Sequence, residues 1–179
     1  ANRMSTFDQF LACLDKADSS EDAQVINGRY EIISEIGRGG MGVVYMANDR
    51  SLQRRVALKF LPPEFSQHAA DFLDFLNEAR SAARLAHNYI VTIYNIEECA
   101  NGHFIVMEYV DGIDLHKLVV EMGTLPFPSI MLVARQMAEA LSYAHKHNVF
   151  HRDIKSANIL WTNDNIIKIT DFGLAKIAE

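Results

Sequence analysis

His151-Arg152-Asp153-Ile154-Lys155-Ser156-Ala157-Asn158, followed by Asp171-Phe172-Gly173, is the pair of segments on which the reading of this chain turns. Transfer of a phosphoryl group to a hydroxyl needs an acid–base group near the acceptor and hard oxygen ligands near the donor. Asp153 suits the first role. Asn158 and Asp171 carry oxygens suited to Mg²⁺. Lys155 can neutralise charge on the group in transit. Taken singly, Asp171-Phe172-Gly173 reads as a turn and Asp153 as an ordinary loop carboxylate. What decides between these readings lies upstream.

Ile36-Gly37-Arg38-Gly39-Gly40-Met41-Gly42-Val43-Val44 fits G-x-G-x-x-G-x-V. Glycines let a backbone approach phosphate oxygens and donate N–H groups with no Cβ in the way. A dinucleotide fold would continue from such a motif into a helix. Here β-rich runs flank it at 30–36 and 43–48, so that reading fails on context. No Gly-Lys-Ser/Thr closes it as a P-loop, and the bland alternative is a Gly-rich hairpin. A third run, 55–61, carries Val56-Ala57-Leu58-Lys59. A strand lysine is ordinarily an edge or snorkelling residue; Lys59 can instead face phosphates, held by an acid. Glu78, on a helix predicted over 67–86 with Ser66 as N-cap, is the candidate acid. Its bland reading is a solvated helix carboxylate.

Two further strands are predicted at 90–97 and 103–109, joined by a turn at Asn101-Gly102. After Asp111-Gly112 the chain turns helical, at 114–122 and 128–147, with Pro128 near a first turn where its missing N–H costs little. A short strand is expected at 165–170. At the other end, Phe7, Phe10, Leu11 and Leu14 mark one face of a helix over 5–17. It reads as packing on the following domain, or as a docking or dimerisation helix. An acidic linker follows it.

The 179 residues are 49% hydrophobic, 22% charged and 9% aromatic, an ordinary globular balance. A net charge of −6 argues against nucleic acid or anionic membrane as the main partner. Cys13 and Cys99 lack C-x-x-C spacing and predict free thiols in a reducing compartment. The polar start Ala1-Asn2-Arg3-Met4 lacks a signal-peptide pattern. No apolar run approaches the roughly 18 residues of a membrane span. A cytoplasmic location is expected, with a membrane segment in a further C-terminal part left open.

With these motifs in order, the sequence resembles a eukaryotic-type protein kinase over roughly residues 30–179. Gly39-Gly40-Met41-Gly42-x-Val44-Tyr45 and Ala57-Leu58-Lys59-Phe60-Leu61 are most similar to bacterial (Hanks-type) serine/threonine kinases. Lys155 after His-Arg-Asp-Ile resembles the Ser/Thr-specific pattern. The implied fold is α+β and protein kinase-like. A five-stranded antiparallel N-lobe sheet with the helix called αC in the family is joined by a hinge to the first part of a helical C-lobe. The implied division is 1–28 for the amphipathic helix and linker, 29–110 for the N-lobe and hinge, and 111–179 for an incomplete C-lobe.

The resemblance also implies roles. Gly37, Gly39 and Gly42 would cover the phosphates of ATP. Lys59 would contact the α- and β-phosphates and pair with Glu78. Met107 falls at the gatekeeper place, and Glu108 and Val110 would offer backbone groups to the adenine. Val44, Ala57 and Leu160 would sandwich the ring, and Asp114 resembles the acidic ribose contact. Asp153 would be the base, with Asn158 and Asp171 on Mg²⁺. His151 and Phe172 would stack in a hydrophobic column, and Arg152 would meet a phosphorylated activation-segment residue.

Asn88 departs slightly from the family's common His-Pro-Asn. More consequentially, no Ala-Pro-Glu-type motif or peptide-docking loop follows Gly173. The reading is thus a Ser/Thr protein kinase catalytic domain, C-terminally truncated after the Asp-Phe-Gly segment, with ATP, Mg²⁺ and a protein hydroxyl as partners. The exposed face of helix 128–147 suggests self-association. The alternatives are an inactive nucleotide-binding or interaction module that retains the N-lobe, and a small-molecule phosphotransferase of related fold. Intact Lys59, Asp153, Asn158 and Asp171 disfavour the module.

Overall fold

Alternation along the central strands builds the core. In a computed structural model, residues 24–39, 42–61, 69–99 and 102–172 are described. They fall into two compact units. The first holds residues 24–73 and Ile93–Tyr109; the second holds Asp74–Thr92 and 110–172. The expected helix at 5–17, the linker to residue 23, the Ser66 cap, Gly40, Met41 and Gly173 lie outside the described residues.

The first unit is an antiparallel sheet of β1 (Val25–Ile26), β2 (Tyr30–Gly39), β3 (Gly42–Asp49), β4 (Arg54–Phe60), β5 (Ile93–Cys99) and β6 (Gly102–Glu108). Its order is β1-β2-β3-β4-β6-β5. All five expected strands form, and the two-residue β1 adds a sixth. Opposed residues of an antiparallel pair share a face, and successive residues alternate faces. Val43, Tyr45 and Ala47 on β3 thus share a face with Val56, Leu58 and Phe60 on β4 and with Phe104 and Val106 on β6. These residues, with Ile26 and Tyr30, form the buried core. Each large side chain so buried stabilises by about 1.5–3 kcal/mol. Phe60 and Phe104 stack at 5.2 Å, and Tyr30 meets Phe104 edge-on.

One edge of this core is polar. Arg29 forks onto Asp49 at 2.9 and 2.7 Å, and Asp49 also accepts from the N–H groups of Ser51 and Leu52. The hydroxyl of Tyr30 donates to Glu97 at 2.5 Å. Cys99, at the end of β5, is disulfide-bonded, which corrects the free-thiol expectation for this residue. Spacing along a chain does not report which sulfurs meet in space.

Helix α1 (Ala69–Ala82) runs from the first unit into the second and buries Phe75, Ala79 and Ala82. It stops short of the expected residue 86. Arg84 and Leu85 donate to the carbonyls three residues back, tightening and ending the helix. The expected strand at 90–97 begins only at Ile93. Tyr89 and Val91 instead exchange backbone hydrogen bonds with Ile169 in the second unit.

In that unit α2 (Leu115–Met122) starts at Asp114, whose carboxylate accepts from the N–H of Lys117 at 2.8 Å. Helix α3 (Phe127–Lys146) buries Val133, Gln136, Ala140 and Ala144 along one stripe. A three-stranded sheet follows: β7 (Gly112–Asp114), β8 (Ile159–Thr162) and β9 (Ile167–Ile169), in that order. The sequence offered no sign of β7. It forms because Gly112 lies against the backbone of Trp161, where an added Cβ would stand 2.6 Å from the carbonyl oxygen. Gln136 ties α3 to this sheet, accepting from the N–H of Ile167 and donating to the carbonyl of Asn165.

Candidate active site

Strand register in the first unit sorts the candidate residues before any ligand is considered. Gly37 pairs with Val44, Val44 with Lys59, and Lys59 with Ile105. In the next such row Met46 pairs with Ala57, and Ala57 with Met107. Val44, Ala57, Lys59 and Met107 therefore occupy one face of the sheet, opposite the apolar core. Lys59 is buried in this row, with 4% of its surface exposed. A buried ammonium needs anionic company.

Strands β2 and β3 close where Gly39 pairs with Gly42. Gly42 has φ +113, a conformation that L side chains resist. Gly37 and Gly39 are different. A Cβ at Gly39 meets nothing within 4 Å, and one at Gly37 meets only Cβ of Val44 at 3.9 Å. The fold itself leaves room for side chains at both. Glu108 ends β6, half-buried, and Val110 opens the second stretch of the other unit.

In the second unit Asp153, Lys155 and Asn158 converge on one another. Lys155 Nζ lies 2.7 Å from Oδ2 of Asp153. The side-chain nitrogen of Asn158 donates to the backbone carbonyl of Asp153 at 2.9 Å and to Oδ2 at 3.2 Å. The bond from Lys155, supported by that from Asn158, holds the Asp153 carboxyl below the usual carboxylate range, against the opposing effect of burial. Asp153 is thus ionised at neutral pH, as an acceptor for a hydroxyl proton must be. Because the amide nitrogen of Asn158 is committed to Asp153, its amide oxygen is the atom on offer to a cation.

His151 holds this loop to the segment before Asp171. It is buried, accepts at Nδ1 from the N–H of Asp153 at 3.2 Å, and meets the carbonyl of Thr170 through Nε2 at 2.7 Å. Those partners define a neutral ring protonated on Nε2. Burial pushes its pKa below the ordinary value. Phe172 meets His151 edge-on rather than stacked, with ring centroids 4.7 Å apart and planes at 63°. The N–H of Thr170 donates to the carbonyl of Asn158, bringing the Asp171 backbone beside the loop. Arg152 and Asp171 both have left-handed φ, +66 and +64. Such strain in non-glycine residues collects at functional sites. Asp114 and Leu160 are direct cross-strand partners on β7 and β8.

Glu78 lies in the second unit, where its carboxylate forms an ion pair with Arg152. Sequence reasoning did not foresee this bond; nothing in the spacing of residues 78 and 152 announces it.

The residues 30–179 match the protein kinase domain. The chain belongs to the protein kinase family. This kinase chain is 49% identical over 155 residues to a probable serine/threonine-protein kinase of Clostridium acetobutylicum, covering 87% of this chain and 24% of that protein. It is 41% identical over 150 residues to the serine/threonine-protein kinase PrkC of Bacillus subtilis, covering 84% and 23% respectively. Among solved structures it matches the PknI kinase domain of Mycobacterium tuberculosis at TM-score 0.74 and 30% identity, covering 87% of this chain and 64% of that one. The kinase chain thus spans about a quarter of the length of these curated relatives. The resemblance to bacterial Hanks-type serine/threonine kinases holds, and with it the kinase fold, with its antiparallel N-lobe sheet and the beginning of the C-lobe. Family membership brings the general use of ATP and a divalent metal. Among the described residues no helix is long and apolar enough to cross a membrane.

Proposed function

We propose that this chain is the ATP-handling part of a bacterial serine/threonine protein kinase, which transfers a phosphoryl group from ATP to Ser or Thr hydroxyls of proteins. The observation that carries the proposal is the Asp153–Lys155–Asn158 constellation, an ionised base flanked by a cation and an amide. In this reading Gly37, Gly39 and Gly42 cover the phosphates, and Lys59 contacts the α- and β-phosphates with Glu78 as its acid. Val44, Ala57 and Leu160 contact the adenine faces, Met107 stands as gatekeeper, and Glu108 and Val110 offer backbone groups. Asp114 receives the ribose. Asn158 and Asp171 are the residues for Mg²⁺, which when bound would offset phosphate charge. Asp153 accepts the proton of the attacking hydroxyl, and Lys155 balances negative charge on the transferring group. The lobe division 29–110 and 111–179, preceded by a separate segment 1–28, and a cytoplasmic setting for signalling by phosphorylation belong to the same proposal.

The test is phosphate transfer to a generic basic protein by the longer protein that contains this chain. Asp153→Asn should abolish transfer and leave nucleotide binding intact. Wild-type transfer that survives Asp153→Asn overturns the assignment.

Self-association is the second part of the proposal. Phe127, Ile130 and Met131 on α3 are exposed, as are Val120 and Met122 on α2. Exposed apolar surface, where it is contiguous, marks contact sites. Analytical ultracentrifugation at tens of micromolar should show dimers; a monomer alone contradicts it.

A further inference from the structure

Residues three apart in a regular strand point to opposite faces of the sheet. On β2 one extra residue changes that. Glu35 pairs with Tyr45 and Gly37 with Val44, so the register slips by one at Ile36. Ile36 is bulged and 40% exposed, and Arg38, opposite Val43, lands on the same face as Glu35. The two side chains meet across the bulge. Arg38 donates from two guanidinium nitrogens to the two carboxylate oxygens of Glu35, at 2.9 and 2.7 Å. This bond is the largest influence holding the Glu35 carboxyl below its usual range. A fork of this kind fixes geometry as well as charge. It stands on the face of Tyr45 and Val43, opposite the face of Val44 and Lys59. Arg38 is the one cation of the glycine motif, yet it is turned away from the side where Lys59 lies. Side-chain packing gives this arm little support. From Ile33 to Gly39 no residue of β2 is buried, and a Cβ at Gly39 would meet nothing within 4 Å.

We propose that Arg38 and Glu35 are positioning residues, whose fork on the far face of β2 holds the bulged glycine arm in the course that receives nucleotide phosphates. This rests on the role proposed above for Gly37, Gly39 and Gly42. An arm fixed before the ligand arrives has less freedom to lose on binding. The two side chains are 50% and 38% exposed, so solvent limits the effect to a few-fold in affinity.

The test is isothermal titration of the chain with Mg-ADP and, separately, with adenosine. Removing a carboxylate near an anion site ordinarily tightens the binding of the anion. Here Glu35→Gln should weaken Mg-ADP by about two- to fivefold, the scale of one exposed ion pair, and Arg38→Gln by a similar factor. The double variant should bind no more weakly than either single one, because both remove the same fork. Adenosine, which lacks phosphates, should bind every variant as it binds wild type, whereas a general loosening of the sheet would weaken it too. Mg-ADP affinity unchanged by Glu35→Gln overturns the proposal and leaves the phosphotransferase reading standing. Tightening does the same and makes Arg38 a direct phosphate contact instead. Equal losses for Mg-ADP and adenosine, or additive losses in the double variant, also overturn it. Absence of Mg-ADP binding by wild type and every variant overturns the phosphotransferase reading, and this proposal with it.

Discussion

The ammonium of Lys155 sits 2.7 Å from the carboxylate of Asp153, two residues back on the same loop. Its hydrogen bond is the largest influence holding that carboxyl ionised. Lys155→Ala should move the Asp153 pKa upward and shift the acid limb of the pH–rate profile to higher pH. In the longer protein, kcat should fall by about 10²-fold, the low end for loss of acid–base and charge support. Lys155→Arg should recover part of it. An unchanged acid limb would show that Lys155 does not act through Asp153.

Asp49 anchors the polar edge of the first unit. It is fully buried, and the Arg29 bond holds its carboxyl below the usual range. Asp49→Ala strands a partly exposed guanidinium and should cost about 3 kcal/mol in urea unfolding. Because the folded pKa is depressed, the stabilisation is complete above the unfolded value near 3.9 and is lost as pH falls through the folded one. Wild type should therefore lose stability steeply in acid, and Asp49→Asn should flatten that dependence. Parallel pH curves for the two would contradict it.

His151, neutral in the fold, also loses its contribution in acid. Burial lowers its folded pKa, so below the unfolded value of about 6.5 the unfolded chain binds the extra proton first. Stability should decline as pH drops below that value, down to the folded pKa. His151→Asn should be less stable throughout and lack this component. Chemical denaturation between pH 5 and 8 makes the comparison.

Much of this was legible in the sequence because it is local or periodic. Val43, Tyr45 and Ala47 alternate with Val44 and Met46, so strand parity alone sets the core face against the other. Asp153, Lys155 and Asn158 lie within one loop, and their mutual bonds follow from proximity in sequence. What stayed hidden is long-range. The Arg29–Asp49 fork, the Tyr30–Glu97 bond and the Glu78–Arg152 pair each need two distant segments to meet. Strand β7 is too short to show a period, and the reason for Gly112 is the backbone of Trp161. The early end of α1 is likewise set by tightened turns that no apolar stripe encodes.

Nucleotide binding tests the central claim most directly. The melting temperature of the chain is measured with and without millimolar Mg-ATP, for wild type, Lys59→Met and Asp171→Asn. The account predicts a clear rise for wild type that saturates with ligand and an apparent affinity weakened at least about tenfold, or 1.4 kcal/mol, in each variant. No shift for wild type at millimolar Mg-ATP, or equal shifts for all three proteins, would contradict it.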